Sequence, residues 1–400
     1  MTETAHSPDT APAARRFAFL VHPRAEVATD MARIWKPLGL IPDSAWGWGL
    51  RNLPVPPITL ASVHRDDATD ATASAGSVIV VPVGARQMLT EDRRWVVSRI
   101  EAAIDRAESL GAEIVGLGAL TAPASGAGRM LRERPGITMT TGNAFTAHLT
   151  VEAIRRLLPA ARGGHIAIIG ATGSVGACVV RLLADEPIGT DVTLIARNER
   201  RLDDLAAEFA ALDTGVSVRA TTSMDAVQDA DLVVVLTSAS DAVLRSEHLR
   251  PGAIVLDDTQ PRNTDPALMT ERPDVLVVDG GVAAVPGIRI RGDIGLPRGL
   301  AYACLCETML MAFSGDATDA VGQASVDHAL RMRDAARRFA HLGFTLADPL
   351  SFGRPTEWPE SGPHGRLKDS GRPAGRPSLA SVAGERRPDM VTEVLVLDGM

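Results

Sequence analysis

Lysine, tyrosine and cysteine are all scarce in this sequence, and each shortage removes a class of chemistry. The 400 residues contain one tyrosine, Tyr302, and the lysines are Lys36 and Lys368 alone. A tyrosine followed four residues on by a lysine is a common proton-transferring pair, but position 306 is Cys306. Lys36 sits in IWKPLG ahead of a proline and reads as a surface residue, which leaves no candidate for a core catalytic lysine. Three cysteines are too few for a disulfide scaffold in a chain this long and fit a reducing cytoplasm. Aromatics make up only 4% against 45% hydrophobic residues, so the core is expected to be aliphatic. No run of about 18 apolar residues occurs, so no transmembrane helix is expected. The opening MTETAHSPDTAPAARR lacks an apolar h-region and does not read as a secretory signal. A net charge of −8 argues against nucleic acid as a partner. The sequence offers no metal-ligand spacing, since a Cys-x-Cys on a helix with no further cysteine nearby is a poor zinc site.

What is present centres on IAIIGATGSVGACVVRLL, Ile166 to Leu183. Four apolar residues run into a turn punctuated by Gly170, Gly173 and Gly176, and Val179, Val180, Leu182 and Leu183 then recur at helical spacing. A buried strand, a glycine turn and a helix opening there form a phosphate-binding βα unit. Gly170 permits the sharp turn, Gly173 lets a pyrophosphate approach the backbone, and Gly176 lets helix and strand pack closely. Thr172, Ser174 and Val175 place their backbone N–H groups at the positive end of the helix dipole. The bland alternative is a tight turn in a sheet that binds no dinucleotide. The following strand, VTLIARNERRL, ends in Ala196, Arg197 and Asn198 rather than the Asp or Glu that takes ribose hydroxyls in NAD-binding folds. A guanidinium there suits a 2′-phosphate and favours NADPH; an arginine-rich solvated helix start is the other reading. Thr237 and Ser238, at the end of DLVVVLTSAS, fall where a cofactor crosses a doubly wound sheet.

Around this unit the chain divides into five stretches. Residues 1–15 are expected to be disordered. Residues 16–150 read as an α/β domain for substrate or carrier. Its strands lie at 17–21, 77–85 and 112–120, a helix runs over 89–110, and the stretch 24–60 is irregular and Trp-bearing. Residues 151–290 read as a Rossmann-like, doubly wound NADP-binding domain. Residues 291–350 form a helical segment, entered by a linker over 288–299, with helices at 300–313 and 321–344. Residues 351–400, rich in Pro, Gly, Ser and Arg, read as a disordered tail. TTGN, Thr141 and Asn143 included, is a turn ahead of a helix, with Asn143 as its N-cap or as a substrate contact. His22 and His148 are candidate proton donors, although each reads more readily as structural.

Cys304 and Cys306 are two residues apart on a helix, about 200° in direction, so both cannot face one cleft. Cys304 lies nearer the helix start, just after Arg298, where helix dipole and guanidinium are expected to lower its pKa. An inert buried cysteine is the bland reading. Cys178, inside the nucleotide helix, reads as packing.

Over residues 17–345 the chain resembles the long-chain acyl-(acyl-carrier-protein) reductases first recognised in cyanobacteria. The segments that carry the resemblance are VGARQMLTEDRR, IVGLGALTA, TTGNAFTAH, GATGSVGA, LIARNERRL and YACLCETMLMAF, in that order. It implies an NADPH-dependent reductase that takes an acyl group from an acyl-carrier protein or acyl-CoA onto a cysteine and releases a fatty aldehyde. The family's nucleophile lies in an A-C-x-x-E stretch, which here is Ala303 to Glu307 and selects Cys304 as catalytic. The sequence departs from the family at Cys306, in place of a small residue, at Phe145, in place of a polar one or His, and at His148, in place of Tyr. Thr141, Asn143 and His148 are the expected substrate contacts. Arg93, Arg94, Arg99, Arg129, Arg132 and Arg134 form a candidate docking patch for an acidic carrier. A homo-oligomer is compatible with the composition. The alternatives are a two-domain NADP-dependent dehydrogenase of a small polar substrate and a non-catalytic NADP-binding sensor.

Overall fold

The computed structural model describes residues 14–23, 27–34, 36–70, 73–161, 164–185, 188–211, 216–237, 243–260 and 262–360. The chain begins with β1 (Phe17–Val21), then two short helices, α1 (Val27–Ile34) and α2 (Asp43–Asn52), in the stretch that the sequence suggests is irregular. β2 (Ile58–Arg65) and β3 (Gly76–Val80) follow, then α3 (Ala85–Thr90) and α4 (Arg93–Ser109). The single helix expected over 89–110 is thus two helices, because Asp92 caps a new one by accepting the Trp95 N–H at 3.0 Å. Val96, Ile100, Ala103, Ile104 and Ala107 of α4 are buried at helical spacing. β4 (Ile114–Leu117), the short α5 (Thr121–Ala124), β5 (Thr138–Thr140) and α6 (Asn143–Leu157) complete this part.

The second part runs β6 (Ile166–Ile169), α7 (Ser174–Asp185), β7 (Val192–Ile195), α8 (Glu199–Ala210), β8 (Val218–Thr221), β9 (Leu232–Val235), β10 (Ile254–Asp257), α9 (Leu268–Glu271) and β11 (Leu276–Asp279). Its six strands are all parallel, in the order β11-β10-β9-β6-β7-β8. Numbered from the glycine strand, that is the 3-2-1-4-5-6 order of the doubly wound dinucleotide fold. β6, β7, β9 and β10 are buried along their whole length, which is why each reads as a mostly apolar run rather than an alternating one.

β12 (Val282–Ala284), β13 (Ile288–Arg291), β14 (Leu300–Tyr302), α10 (Ala303–Ser314), α11 (Val326–Arg338), β15 (Thr345–Leu346) and the hairpin β16 (Leu350–Ser351) with β17 (Arg354–Pro355) close the described chain. The expected 288–299 linker is corrected here. β13 lies antiparallel against β2 and completes a mixed sheet of order β13-β2-β3-β1-β4-β5. Nothing in β13's own sequence marks a partner more than two hundred residues away. The expected tail is corrected at its start as well, since residues 351–360 include the hairpin, whose Phe352 and Gly353 N–H groups donate to the Asp279 carboxylate at 3.1 and 2.6 Å. Residues 361–400, with the rest of the tail, and residues 1–13 lie outside the described residues.

α10 lies flat on β4: a Cβ added to Gly116 would come within 2.1 Å of Thr308 Oγ1. It is buried nearly all round, from Leu305 to Phe313, in a cluster with Phe17, Phe145 and Leu149. A helix apolar on every face is a core helix, so its first turn is fixed firmly in place. No helix among the described residues is long and apolar enough to cross a membrane.

Candidate active site

The carboxyl ends of the two sheets meet at the start of α10. From the nucleotide sheet, the chain leaves β11 through Gly280 and Gly281, and the Gly281 carbonyl accepts the Ala303 N–H at 2.8 Å. From the mixed sheet, the chain leaves β5 through Thr141 and Gly142. Gly142 has φ +74°, and a Cβ there would lie 2.3 Å from Cys304 Cβ. Position 142 therefore needs glycine twice, for its backbone conformation and for the closeness of its neighbour. Gly142 itself, and not Asn143, is the N-cap of α6, and a glycine has no side chain with which to cap it.

On the nucleotide side the glycines divide their work. Gly170 has φ +84°, and an added Cβ would touch the Leu236 carbonyl at 2.8 Å. A Cβ at Gly176 would meet Gly170 O at 2.3 Å, the close strand–helix approach expected of the third glycine. At Gly173 the nearest atom would be Gly170 O, at 3.1 Å. The turn leads into the N-terminus of α7, whose backbone N–H groups fit a pyrophosphate. Val175 is half-buried against the nucleotide core. Arg201 Nη2 donates to Thr172 O at 2.7 Å and pins the turn. Asn198 caps α8 by accepting the Arg201 N–H at 3.0 Å, while Arg197 is exposed at the end of β7. Thr237 is half-buried just beyond β9, with its backbone N–H over Gly170; Ser238 lies outside the described residues.

Ser174 has a different role from the one its place in the motif suggests. Its Oγ accepts from Asn143 Nδ2 at 3.0 Å and from Ala324 N at 2.9 Å, and donates to Gly322 O at 3.4 Å. One hydroxyl has one proton and two lone pairs, so its capacity is filled. A phosphate here would meet the Ser174 backbone N–H and not the hydroxyl. Asn143 is thereby tied to the cofactor turn, and Thr141 is buried with its N–H on Ala320 O at 3.1 Å.

Cys304 is half-buried, whereas Cys306 and Cys178 are fully buried in separate cores. Burial pushes the Cys304 thiol up to about 12, and the nearby charges of Glu307 and Asp258 push the same way. Only the backbone N–H groups of Leu305 and Cys304 pull it down. This reverses the expected lowering: Arg298 is exposed and plays no part. The helix start offers its N–H groups, but desolvation outweighs them.

Three residues turn farther into α10, Glu307 is wholly buried and holds the TTGN turn in place. It accepts the Thr140 hydroxyl, the Phe145 N–H at 2.7 Å and His328 Nε2 at 3.1 Å. Arg331 donates to His328 Nδ1 at 2.9 Å, so the ring proton sits on Nε2 and points at the carboxylate. A cavity of about 170 Å³ opens beside this chain, lined among others by Thr141, Glu307, Asp319, Gln323 and His328. Sequence reading takes Glu307 only as the end of a motif, although an acid inside an otherwise apolar helix is itself a signal of a buried partner.

Asp258 was not singled out by the sequence. It follows β10, its backbone N–H donates to Val235 O at 3.1 Å, and one carboxyl oxygen meets the Thr150 hydroxyl. Burial and the charge of Asp257 raise its pKa to about 7, against the Thr150 hydrogen bond. The signal available was LDD at the carboxyl end of a parallel strand, where ligands gather in doubly wound folds. His22 is committed to backbone: its ring nitrogens bond Pro23 O at 2.8 Å and Leu120 N at 3.1 Å. His148 is half-buried, 3.4 Å from Glu152 and tilted against Phe145. The arginine patch is mostly engaged elsewhere. Arg134 and Arg132 pair with Glu101 and Asp105, Arg99 donates to Val55 O, and Arg93 donates to Ala124 O.

Residues 170–264, which include the glycine turn, match the family described as NAD(P)H-binding. Over 351 residues the chain is 24% identical to the aminotransferase PigE of Serratia sp., covering 83% of this chain and 40% of that one. It is 30% identical over 214 residues to a long-chain acyl-[acyl-carrier-protein] reductase of Synechococcus elongatus, 47% of this chain and 60% of that one. The chain thus spans from two fifths to three fifths of these relatives' lengths. Among solved structures, the iminosuccinate reductase of Paracoccus denitrificans in complex with NAD+ is 20% identical over 52% of this chain and 66% of that one, with a TM-score of 0.28.

Proposed function

We propose that the chain is an NADPH-dependent oxidoreductase that reduces a fatty acyl thioester, carried on an acyl-carrier protein or coenzyme A, to a fatty aldehyde. The acyl group passes through a thioester on Cys304. The observation that carries this reading is the convergence of Gly142 and Gly281 on the first turn of α10. It sets a half-buried thiol at the carboxyl ends of the strands of an NAD(P)H-binding fold. The partial likeness to a relative named as an acyl-[acyl-carrier-protein] reductase supports it.

In this reading residues 16–150 and 291–350 handle the acyl group, and residues 151–290 hold the dinucleotide. Gly170, Gly173 and Gly176 shape the phosphate turn, with backbone N–H groups of Thr172, Ser174 and Val175 as donors. Arg197 and Asn198 stand where the 2′-phosphate arrives, and Thr237 flanks the cofactor's path. The bound nicotinamide supplies hydride. Cys304 Sγ attacks the thioester carbonyl and displaces the carrier's thiol, since a thiolate both attacks and leaves readily. The second N–H of Asn143, the one not on Ser174, is a donor for the developing oxyanion. Thr141 and His148 border the acyl site. This reading puts the reaction in a reducing cytoplasm, where a catalytic thiol is kept reduced.

Intact mass after incubation with a long-chain acyl-CoA, without NADPH, tests the mechanism. Wild type gains one acyl group and Cys304→Ala gains none; equal gain by both would sink the Cys304 mechanism. NADPH oxidation with a panel of thioesters, with the aldehyde trapped, then identifies the substrate. The small polar cavity beside Thr141 favours a second reading, an NADP-dependent dehydrogenase of a small polar substrate. Turnover that survives Cys304→Ala would favour it. Tight cofactor binding with no NADPH consumption would mark a sensor.

A further inference from the structure

The thioester mechanism needs Cys304 to lose a proton, and its surroundings resist that. A neighbouring group must therefore take the proton as the sulfur attacks. Arg298 is exposed, His22 has both ring nitrogens on backbone, His148 faces Glu152 at 3.4 Å, and Glu307 is occupied by Thr140, Phe145 and His328. Asp258 remains.

Asp258 has the placement such a group requires. A Cβ at Gly281 would lie 2.1 Å from Asp258 Oδ1, and one at Gly280 would lie 2.9 Å from Asp258 Cβ. The two glycines form a notch that admits this carboxyl group. The Gly281 carbonyl on the other side of the notch holds Ala303, the residue before Cys304. The Asp258 charge adds to the upward push on the Cys304 thiol.

The other carboxyl oxygen carries the second clue. Thr150 Oγ1 lies within bonding distance of both Asp258 Oδ2 and the Thr146 carbonyl, the latter at 2.8 Å. A hydroxyl has one proton, and a carbonyl cannot donate. When Thr150 gives its proton to Thr146 O, the contact with Asp258 is a hydrogen bond only if the carboxyl is protonated and donates. When the hydroxyl turns to Asp258, the carboxylate accepts. One hydroxyl thus serves both protonation states, without movement of the backbone. The raised pKa of about 7 agrees with a group that exchanges its proton near neutrality.

We propose that Asp258 is the acid–base group of the Cys304 thiol, receiving its proton during acyl transfer and returning it to the departing carrier thiolate. The inference rests on the acyl-transfer reading above. In that step the Sγ–H bond breaks and its proton passes to the Asp258 carboxylate. The Sγ–carbon bond forms, the bond from the acyl carbon to the carrier sulfur breaks, and the carboxyl gives its proton to that sulfur. No electron changes hands and no co-reactant is consumed. The charged and titratable neighbours are Asp257 on the same strand and Cys304 and Glu307 on α10; on α6, His148 and Glu152 face one another at 3.4 Å.

The test follows the rate of Cys304 acylation by acyl-CoA, read by mass from pH 5 to 9, in wild type, Asp258→Asn and Thr150→Val. Wild type is expected to show an inflection near pH 7. Asp258→Asn should lose it and acylate at least ten times more slowly at pH 7, with its NADPH affinity unchanged. Thr150→Val, which removes the donor to the carboxylate, should move the inflection upward. An inflection that persists unchanged in Asp258→Asn overturns the proposal, as does undiminished acylation. Iodoacetamide alkylation of Cys304 separates this failure from that of the thioester reading, because it uses no acyl substrate. If no thioester acylates wild type, the reaction assigned above is wrong. A step near pH 7 in the alkylation profile that Asp258→Asn abolishes still supports the link between Asp258 and the thiol, and its persistence in the variant refutes it.

Discussion

The two glycine turns of this molecule, GATGSVG after β6 and TTGN after β5, stand at equivalent places, each carrying a parallel strand into a helix. They differ in what the glycine touches. Gly170 and Gly176 meet backbone within their own unit or on the adjacent strand, at Leu236 and Gly170. Gly142 meets Cys304, which belongs to a helix 160 residues farther on. The first turn is a local device that any chain with that motif builds. The second exists only once two sheets and a core helix have assembled, so its failure reports on the whole arrangement.

The sharpest way to break the comparison is Glu307→Ala. It leaves His328 buried without its carboxylate and frees the Phe145 N–H. Each buried donor left unsatisfied costs about 1–3 kcal/mol, and we expect a large fall in denaturation midpoint together with loss of Cys304 acylation. Gly142→Ala comes next. A positive-φ alanine pressed on Cys304 Cβ combines backbone strain of about 1 kcal/mol with overpacking of about 1–3 kcal/mol. Acylation should be lost while NADPH affinity, measured by fluorescence titration, is kept. Gly176→Ala should give the mirror result. Overpacking of about 1–3 kcal/mol against Gly170 O weakens NADPH binding, and the Cys304 thiol still reacts with iodoacetamide. If either variant abolished both functions equally, the two turns would not be separable. Arg197→Ala is smaller and local. It should reduce the preference for NADPH over NADH by about tenfold, or about 1.4 kcal/mol; equal affinities for the two cofactors in wild type would sink the 2′-phosphate reading.

The smallest effect is one of pH. The folded Cys304 thiol titrates at about 12, above its ordinary 9.0, so the folded state holds this proton more tightly than the unfolded chain does. That contribution is complete below the ordinary value and is lost as pH rises toward 12. At pH 9.5 the loss is only about 1 kcal/mol, and Cys304→Ser should lack it when midpoints at pH 7 and 9.5 are compared.

The same contrast sets what the sequence reveals. The glycine turn, the buried parallel strands and the sheet they form are legible because they depend on contiguous apolar runs and on backbone geometry. Cys304 is legible because ACLCE is a contiguous motif. Asp258 is not, because its environment is built by Thr150 and by Gly280 with Gly281, from two segments remote from its own. β2 and β13 escape because antiparallel pairing across two hundred residues leaves no local mark. The sequence points the thiol's pKa downward whereas burial raises it, because an arginine nearby in sequence is not nearby in space.

Ser174 ties these regions together. Its hydroxyl joins the helix of the cofactor turn to Asn143 at the head of α6 and to the backbone at Gly322 and Ala324. Anything that shifts the first turn of α7 by a fraction of an ångström is felt directly at the residue that precedes Ala144 and follows the glycine over Cys304. The helix of the cofactor turn and the head of α6 beside Cys304 are therefore joined through a single hydroxyl.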